Sequence, residues 1–133
     1  MDRYLSRFED VGYALLRLVA GFLFAFHGMQ KILGMYGGTA QELFTRAWFA
    51  GIIEIVAGPL IAVGLLTVPM SFLSSGLMAF AYFLAHQPRG FWPVENRGEL
   101  AALYCFVFLY LAMKGSGRFS VDALLGRGGR SRR

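Results

Sequence analysis

The stretch WFAGIIEIVAGPLIAVGLLTV, residues Trp48–Val68, decides the fold, because it holds one ionisable side chain, Glu54, in an otherwise apolar run. At about 1.5 Å of rise per residue, roughly 20 helical residues cross the ~30 Å hydrocarbon layer of a membrane. A carboxyl group there has little water to solvate it, and a central acid costs about 2.5–3.5 kcal/mol on membrane-insertion scales. We therefore expect a membrane-spanning helix in which Glu54 faces other helices and a polar partner.

The composition of the whole chain agrees with a membrane protein. Hydrophobic residues make up 56% of the 133 residues and charged residues 16%, whereas soluble domains average roughly 45–50% apolar and about 25% charged residues. The formal net charge of +5 does not indicate nucleic acid, because much of the excess lies in the tail at residues 126–133, outside any nucleic-acid motif. The single cysteine excludes an intrachain disulfide.

Four apolar segments of this kind follow one another along the chain. The predicted membrane spans are residues 11–33, 48–68, 70–86 and 99–114. The expected architecture is all-α: an integral membrane four-helix bundle in one domain, followed by the basic tail at residues 126–133. Four crossings put both termini on one side, and that side carries more lysine and arginine than the other. The positive-inside rule then makes both termini cytoplasmic in a bacterial-type inner membrane.

Ionisable side chains from several spans are expected to meet in the outward half of the membrane. His27 and Glu54 each lie six residues from the outer end of their span, hence roughly 9 Å below the surface. Lys31 lies one turn above His27, while His86 ends the third span and Glu99 begins the fourth. The ligand-binding candidates are therefore His27, Lys31, Glu54, His86 and Glu99. No catalytic residue is assignable, although Glu54 and His27 are the candidates.

Simpler interpretations of these residues stay open. By the same count Arg17 lies about 12 Å from Glu54 along the membrane normal, so a direct pair needs tilt or a water. Arg17 is a structural charge that could instead meet Tyr110, a backbone carbonyl or an anionic lipid. Glu54 could only orient helices, His27 could bond a backbone carbonyl, and Glu99 could be a helix N-terminal acid. The histidines and carboxylates lack the spacing of a metal site, so no metal is expected.

Several short motifs, in their order and spacing, resemble the DoxX family of membrane proteins. The residues that carry the resemblance are Arg17 with Gly21, the segments 27–34 (HGMQKILG), 54–60 (EIVAGPL) and 64–65 (GL), the loop 96–101 (NRGELA) and the tail segment 115–122 (GSGRFSVD). Arg97 departs from the family, in which a small or polar residue often precedes the Gly-Glu pair. The resemblance implies a four-helix membrane protein serving a redox process. Members are linked to quinone-coupled sulfur oxidation, to oxidative-stress complexes and to clearance of quinone-like compounds.

The sequence leaves three functions open. The first is an accessory or quinone-binding subunit of a redox process, with a buried acid and a nearby histidine as proton donors. The chain has no haem, flavin or nicotinamide motif, so electrons would come from a soluble or membrane redox partner. The alternatives are a non-enzymatic scaffold that docks soluble oxidoreductases through its basic termini, and a small proton-coupled carrier that uses Glu54 and His27 as a relay.

Whether the chain is itself an oxidoreductase stays open. Whether it forms a homo-oligomer stays open as well. No cofactor is evident in the sequence, and a quinone stays open as one. Membrane lipids are expected partners and nucleic acid is not.

Overall fold

The computed structural model describes residues 2–128, and over that range the chain is helical with no β-strand. The helices, in chain order, are α1 (Asp2–Ser6), α2 (Glu9–Leu33), α3 (Arg46–Val63), α4 (Thr67–Ala81), α5 (Pro93–Asn96), α6 (Glu99–Lys114) and α7 (Val121–Leu124). A π-helical turn at Tyr82–His86 and a 3₁₀ turn at Gln87–Arg89 continue α4. The predicted basic tail is covered only in part, since residues 129–133 lie outside the described residues.

Three helical segments within residues 2–128 are long and apolar enough to cross a membrane. They are Glu9–Leu33, Arg46–Val63 and Thr67–Arg89, the last being α4 with its two following turns. Helix α6 occupies the fourth predicted segment but has only 16 residues, which corresponds to a length of about 24 Å. The structure therefore supports an all-helical membrane protein with three candidate spans.

The boundary between the second and third spans differs from the sequence prediction. Helix α3 ends at Val63, because Gly64 adopts the left-handed conformation and caps the helix. Helix α4 then begins at Thr67, three residues before the predicted start. Its first turn is stabilised from a distance: the Asp122 carboxylate accepts hydrogen bonds from the backbone N–H groups of Leu66 and Thr67, each at 3.1 Å. Hydropathy alone places Thr67 in the second span, because it cannot detect a helix cap that is supplied by a residue far away in the sequence.

Helices α2 and α3 pack against each other along their lengths, as do α4 and α6. Glycines allow the α2–α3 backbones to touch. A Cβ added to Gly58 would lie 2.6 Å from the backbone nitrogen of Ala25, and one added to Gly28 would lie 2.5 Å from that of Ile55. Small residues at a membrane helix interface permit this close approach. Gly58 and Ala62, the small residues that follow Glu54 on the same face of α3, therefore lie against α2.

Aromatic side chains fill the space between the two helix pairs. Phe24 of α2 and Phe108 of α6 are completely buried, with ring centroids 4.7 Å apart, and Tyr104 stacks on Phe108. The outer faces carry exposed large apolar side chains, among them Phe72 and Phe80 of α4. An apolar outer surface of this extent is unusual for a soluble monomer and suits contact with acyl chains. The polar groups of the spans therefore lie inside or at the helix ends.

Candidate functional site

The candidate site is organised around Glu54, whose side chain is only 1% exposed in the middle of α3. Lys31, in the last turn of α2, donates a hydrogen bond from Nζ to Glu54 Oε1 at 2.6 Å. The close α2–α3 crossing makes this contact, since a Cβ added to Gly51 would lie 2.9 Å from the Cβ of Lys31. The Lys31 side chain is 31% exposed, so the pair joins a buried carboxylate to a cation nearer the surface. A buried charge of this kind needs such a partner.

The second carboxylate oxygen of Glu54 has an unused hydrogen-bonding capacity. Oε2 is buried and has no hydrogen-bond partner among the described residues. The large majority of buried side-chain polar atoms in proteins are paired, so each exception needs an explanation, such as a bound water or ligand. Because Glu54 also borders a cavity, a ligand in that cavity is the explanation to test.

The cavity beside the Lys31–Glu54 pair has a volume of about 220 Å³. Its polar lining consists of His27, Lys31, Glu54, His86, Arg97 and Tyr104. Its apolar lining consists of Phe24, Met78, Ala81, Leu100 and Ala101. Ligand pockets for drug-sized molecules measure roughly 300–1,000 Å³, so this one suits a small molecule or a single ring of a larger one.

Four of the five ligand-binding residues predicted from the sequence line this cavity: His27, Lys31, Glu54 and His86. Glu99 does not. It is exposed in the first turn of α6, and it lies on the side of that helix opposite Ala101 and Tyr104, which are buried. The helical position of Glu99 therefore turns its side chain away from the cavity, and the interpretation as an N-terminal helix acid describes it better.

Tyr104 is a cavity residue that the sequence did not single out. The buried residues of α6 repeat at helical spacing through Ala101, Tyr104, Phe108 and Leu111. That repeat could have identified the inward face, but it is hard to recognise in a helix that is apolar on every side. Tyr104 also meets His27 edge to face, with ring centroids 6.1 Å apart.

Arg97 reaches the cavity because Asn96 holds the preceding loop in place. The fully buried Asn96 amide donates hydrogen bonds to the Gly90 carbonyl oxygen at 3.0 Å and to the Tyr82 hydroxyl at 3.3 Å. Its Oδ1 accepts one from the Gly98 N–H at 2.8 Å. Arg97 then adopts a left-handed conformation with φ of +57° and ends α5. Only this tertiary arrangement brings the loop cation to the membrane helices.

His86 also depends on this loop. Its Nδ1 lies 3.2 Å from the carbonyl oxygen of Asn96, so the tautomer that fits is the one in which Nδ1–H donates. The other ring nitrogen is then free to accept a hydrogen bond. The cavity thus contains one acidic side chain, Glu54, among several donors and two basic side chains, Lys31 and Arg97. Such a lining can hold the oxygen atoms of a small ring compound.

Arg17 lies apart from the cavity and does not meet Glu54. Its guanidinium group, in a side chain that is 3% exposed, donates to the carbonyl oxygens of Ala62 at 3.5 Å, Phe119 at 2.6 Å and Ser116. Of the alternatives left open by the sequence, backbone carbonyls are therefore the partners observed. Arg17 joins α2, the end of α3 and the segment after α6, which is a structural role.

These features are those of a helical integral membrane protein. Its outer faces are apolar, it has three candidate spans, and an ion pair with a buried carboxylate lies beside a polar cavity. The chain belongs to the DoxX family, whose sequence model matches residues 12–87. The matched range includes most of α2, all of α3 and α4, and the π-helical turn that follows α4. His27, Lys31, Glu54 and His86 all lie within it. The resemblance seen in the short motifs is therefore confirmed.

Several curated proteins are similar over most of the chain. An uncharacterized protein of Haemophilus influenzae is 37% identical over 125 residues, covering 89% of this chain and 93% of its own. The inner membrane protein YqjF of Escherichia coli is 28% identical over 137 residues, covering 92% and 98%. A Bacillus subtilis protein named "Putative oxidoreductase CatD" is 25% identical over 129 residues, covering 93% and 94%. No solved structure matches this chain.

Proposed function

We propose that this DoxX protein binds a quinone or a similar small apolar molecule in the cavity beside Glu54, as an accessory subunit of a membrane redox process. One observation carries the proposal. Glu54 is almost completely buried, one of its oxygens is paired with Lys31, and the other has no partner among residues 2–128. If Oε2 holds a proton, it can donate a hydrogen bond to a carbonyl oxygen of a quinone, and if it is ionised, it can accept one from a hydroxyl group of the reduced quinol.

The lining of the cavity fits a quinone ring. Quinone oxygens accept hydrogen bonds, and Lys31, Arg97 and Tyr104 are donors on the cavity wall. Phe24 and Met78 offer apolar contacts to the ring faces. The volume of about 220 Å³ accommodates a ring, whereas an isoprenoid tail would have to extend outside it. A bound quinone supplies two-electron chemistry that also takes up two protons.

Glu54 and His27 are the residues of this chain that could hold and pass protons in such a site. Lys31 orients the Glu54 carboxylate through the 2.6 Å contact. The electrons would come from a soluble or membrane redox partner, which is the accessory role expected of a sequence without a haem, flavin or nicotinamide motif. The name of the Bacillus subtilis relative, a putative oxidoreductase, is consistent with a redox process.

We further propose that α6 is a fourth span and that the protein is a four-helix bundle. Helix α6 packs along α4, and its length of about 24 Å requires some local thinning of the ~30 Å hydrocarbon layer. Both termini then lie on the same side, and the positive-inside rule makes that side cytoplasmic. The Escherichia coli relative is named an inner membrane protein, which agrees with this location.

Binding of 2-methyl-1,4-naphthoquinone to the purified protein in lipid nanodiscs tests the proposal. The reduced form of this compound, whose hydroxyl groups can donate to Glu54 Oε2, should bind to the Glu54→Gln variant about tenfold more weakly, a loss of roughly 1.4 kcal/mol, because the charge-assisted hydrogen bond to the carboxylate is lost. Glu99→Gln is the matched control, because it makes the same acid-to-amide change outside the cavity, and it should bind like the wild type. Tyr104→Phe, which keeps the packing of the ring, gives a second measure of binding in the cavity.

Other results would favour the alternatives. Absence of quinone binding by the wild-type protein would exclude the proposed ligand. If the protein then retained a soluble oxidoreductase and lost it when the basic tail was removed, a scaffold would be the better description. Proton movement in reconstituted vesicles that Glu54→Gln abolishes would favour the carrier.

A further inference from the structure

The cavity has one basic side chain more than its single acid requires. Lys31 is paired with Glu54. Arg97 lines the same cavity, and it forms no ion pair with any acidic side chain of the described residues. A guanidinium group keeps its charge at any physiological pH and is shaped to bind oxygen anions through two parallel N–H groups. Arg97, which is exposed, is therefore the cation of the cavity lining that has no acidic partner within residues 2–128 and is available to a ligand.

The backbone conformation of Arg97 is also unusual for a residue other than glycine. Its φ of +57° lies in the left-handed region, where glycine is the residue of least strain. The hydrogen bonds of Asn96 to Gly90 and Gly98 hold this loop, and none of them uses the Arg97 side chain. Among residues 2–128, the non-glycine residues with positive φ are Tyr36, Phe44, Leu66 and Arg97, and of these Arg97 lines the cavity. The arginine side chain is therefore not needed for the turn.

We propose that Arg97 determines ligand specificity, by favouring ring compounds that carry an ionised oxygen, such as an acidic ring hydroxyl or a carboxylate. The inference rests on the proposed function, because it concerns the ligand of the same cavity. A neutral carbonyl oxygen receives an ordinary hydrogen bond from the guanidinium group, whereas an ionised oxygen receives a charge-assisted one of about twice the strength.

The position of Glu54 adds an orientation to this preference. The Glu54 carboxylate disfavours an anion beside it, so the ionised oxygen of the ligand should face Arg97. The neutral part of the ring then lies toward Glu54 and Lys31. In this arrangement Lys31 keeps its contact with Glu54, and the charge of the ligand balances that of Arg97.

Two probes of nearly the same size test this preference. They are 2-hydroxy-1,4-naphthoquinone, which is ionised at neutral pH, and 2-methyl-1,4-naphthoquinone, which is neutral. In nanodiscs of uncharged lipid, the wild-type protein should bind the ionised probe about three- to tenfold more tightly, as expected of a charge-assisted hydrogen bond partly open to water. Arg97→Gly should abolish this preference, and it should weaken the binding of the neutral probe less than that of the ionised probe, because the neutral probe loses only an ordinary hydrogen bond. Arg97→Lys should keep part of the preference.

These variants also separate folding from binding. Glycine suits the left-handed backbone, so Arg97→Gly should keep or raise the thermal unfolding temperature of the protein. Arg89→Gly is the matched control, since Arg89 lies in the same loop region at the end of a 3₁₀ turn and does not line the cavity. It should leave the ratio of the two affinities as in the wild type.

Three results would contradict the inference, each in a distinct way. If both probes bind and Arg97→Gly leaves their affinity ratio unchanged, the specificity role is wrong while the proposed function stands. If Arg97→Gly weakens both probes equally, and only when anionic lipid is present, the cation serves lipid headgroups instead. If neither probe binds to the wild-type protein, the proposed function fails and this inference fails with it.

Discussion

Removing Lys31 should destabilise the protein because it leaves the Glu54 charge buried without a partner. Loss of one member of a fully buried ion pair typically costs about 3–5 kcal/mol. In this protein Glu54 is 1% exposed and the Lys31 side chain 31% exposed, so water already screens part of the interaction. We therefore expect Lys31→Met to lower the free energy of unfolding by about 2–3 kcal/mol. The methionine keeps most of the apolar contacts of the lysine side chain, which limits the loss to the charge.

A second substitution should reverse most of this loss. In the Lys31→Met background, Glu54→Gln removes the unpaired charge, and the double variant should lie within about 1 kcal/mol of the wild type. The measurement is the free energy of unfolding in mixed micelles, titrated with a denaturing detergent. Lys114→Met is the matched control, because Lys114 pairs with the exposed Glu9 at 2.8 Å, and such surface pairs contribute little.

The coupling between the two substitutions is the decisive quantity. If Lys31→Met were nearly neutral, or if Glu54→Gln added its own full cost on top, Lys31 would not compensate the buried carboxylate. The ion pair would then have no part in holding the site together, whatever the ligand.

Two further comparisons test the packing. Gly58→Ala should destabilise the protein by about 1–3 kcal/mol, since the added Cβ would meet the α2 backbone at 2.6 Å. Gly76→Ala, in a helix and with nothing within 4 Å of its Cβ, should stabilise it by about 0.5–1 kcal/mol. Ser71→Ala should be neutral or stabilising, because the Ser71 hydroxyl is buried without a partner among the described residues. Ser75→Ala should cost about 1 kcal/mol, because Ser75 donates to a carbonyl oxygen of α6 at 2.8 Å. All four are measured by unfolding in the same micelles, and equal effects within either pair would contradict the packing described.

The sequence by itself determined the class of protein and the small-residue face of α3 at which another backbone approaches closely. Apolar segments long enough to cross a membrane are a local property, because each backbone group in such a helix is satisfied within its own segment. The spacing from Glu54 to Gly58 also follows from helix geometry alone and predicts a close approach of backbones. Counting the rise per residue predicts that His27 and Glu54 lie at the same depth, and in the structure both residues line the cavity.

Only the tertiary structure decided which polar groups meet. Lys31 reaches Glu54, and Arg17 binds carbonyl oxygens after α6, yet both are basic residues on the same helix and nothing in their local sequence separates these roles. Asp122 caps the first turn of α4 although it lies 55 residues away from Thr67 in the sequence. Asn96 holds the loop in the conformation that places Arg97 at the cavity. These contacts join residues far apart in the chain, and they depend on how the helices rotate and cross, which hydropathy and helical periodicity do not encode.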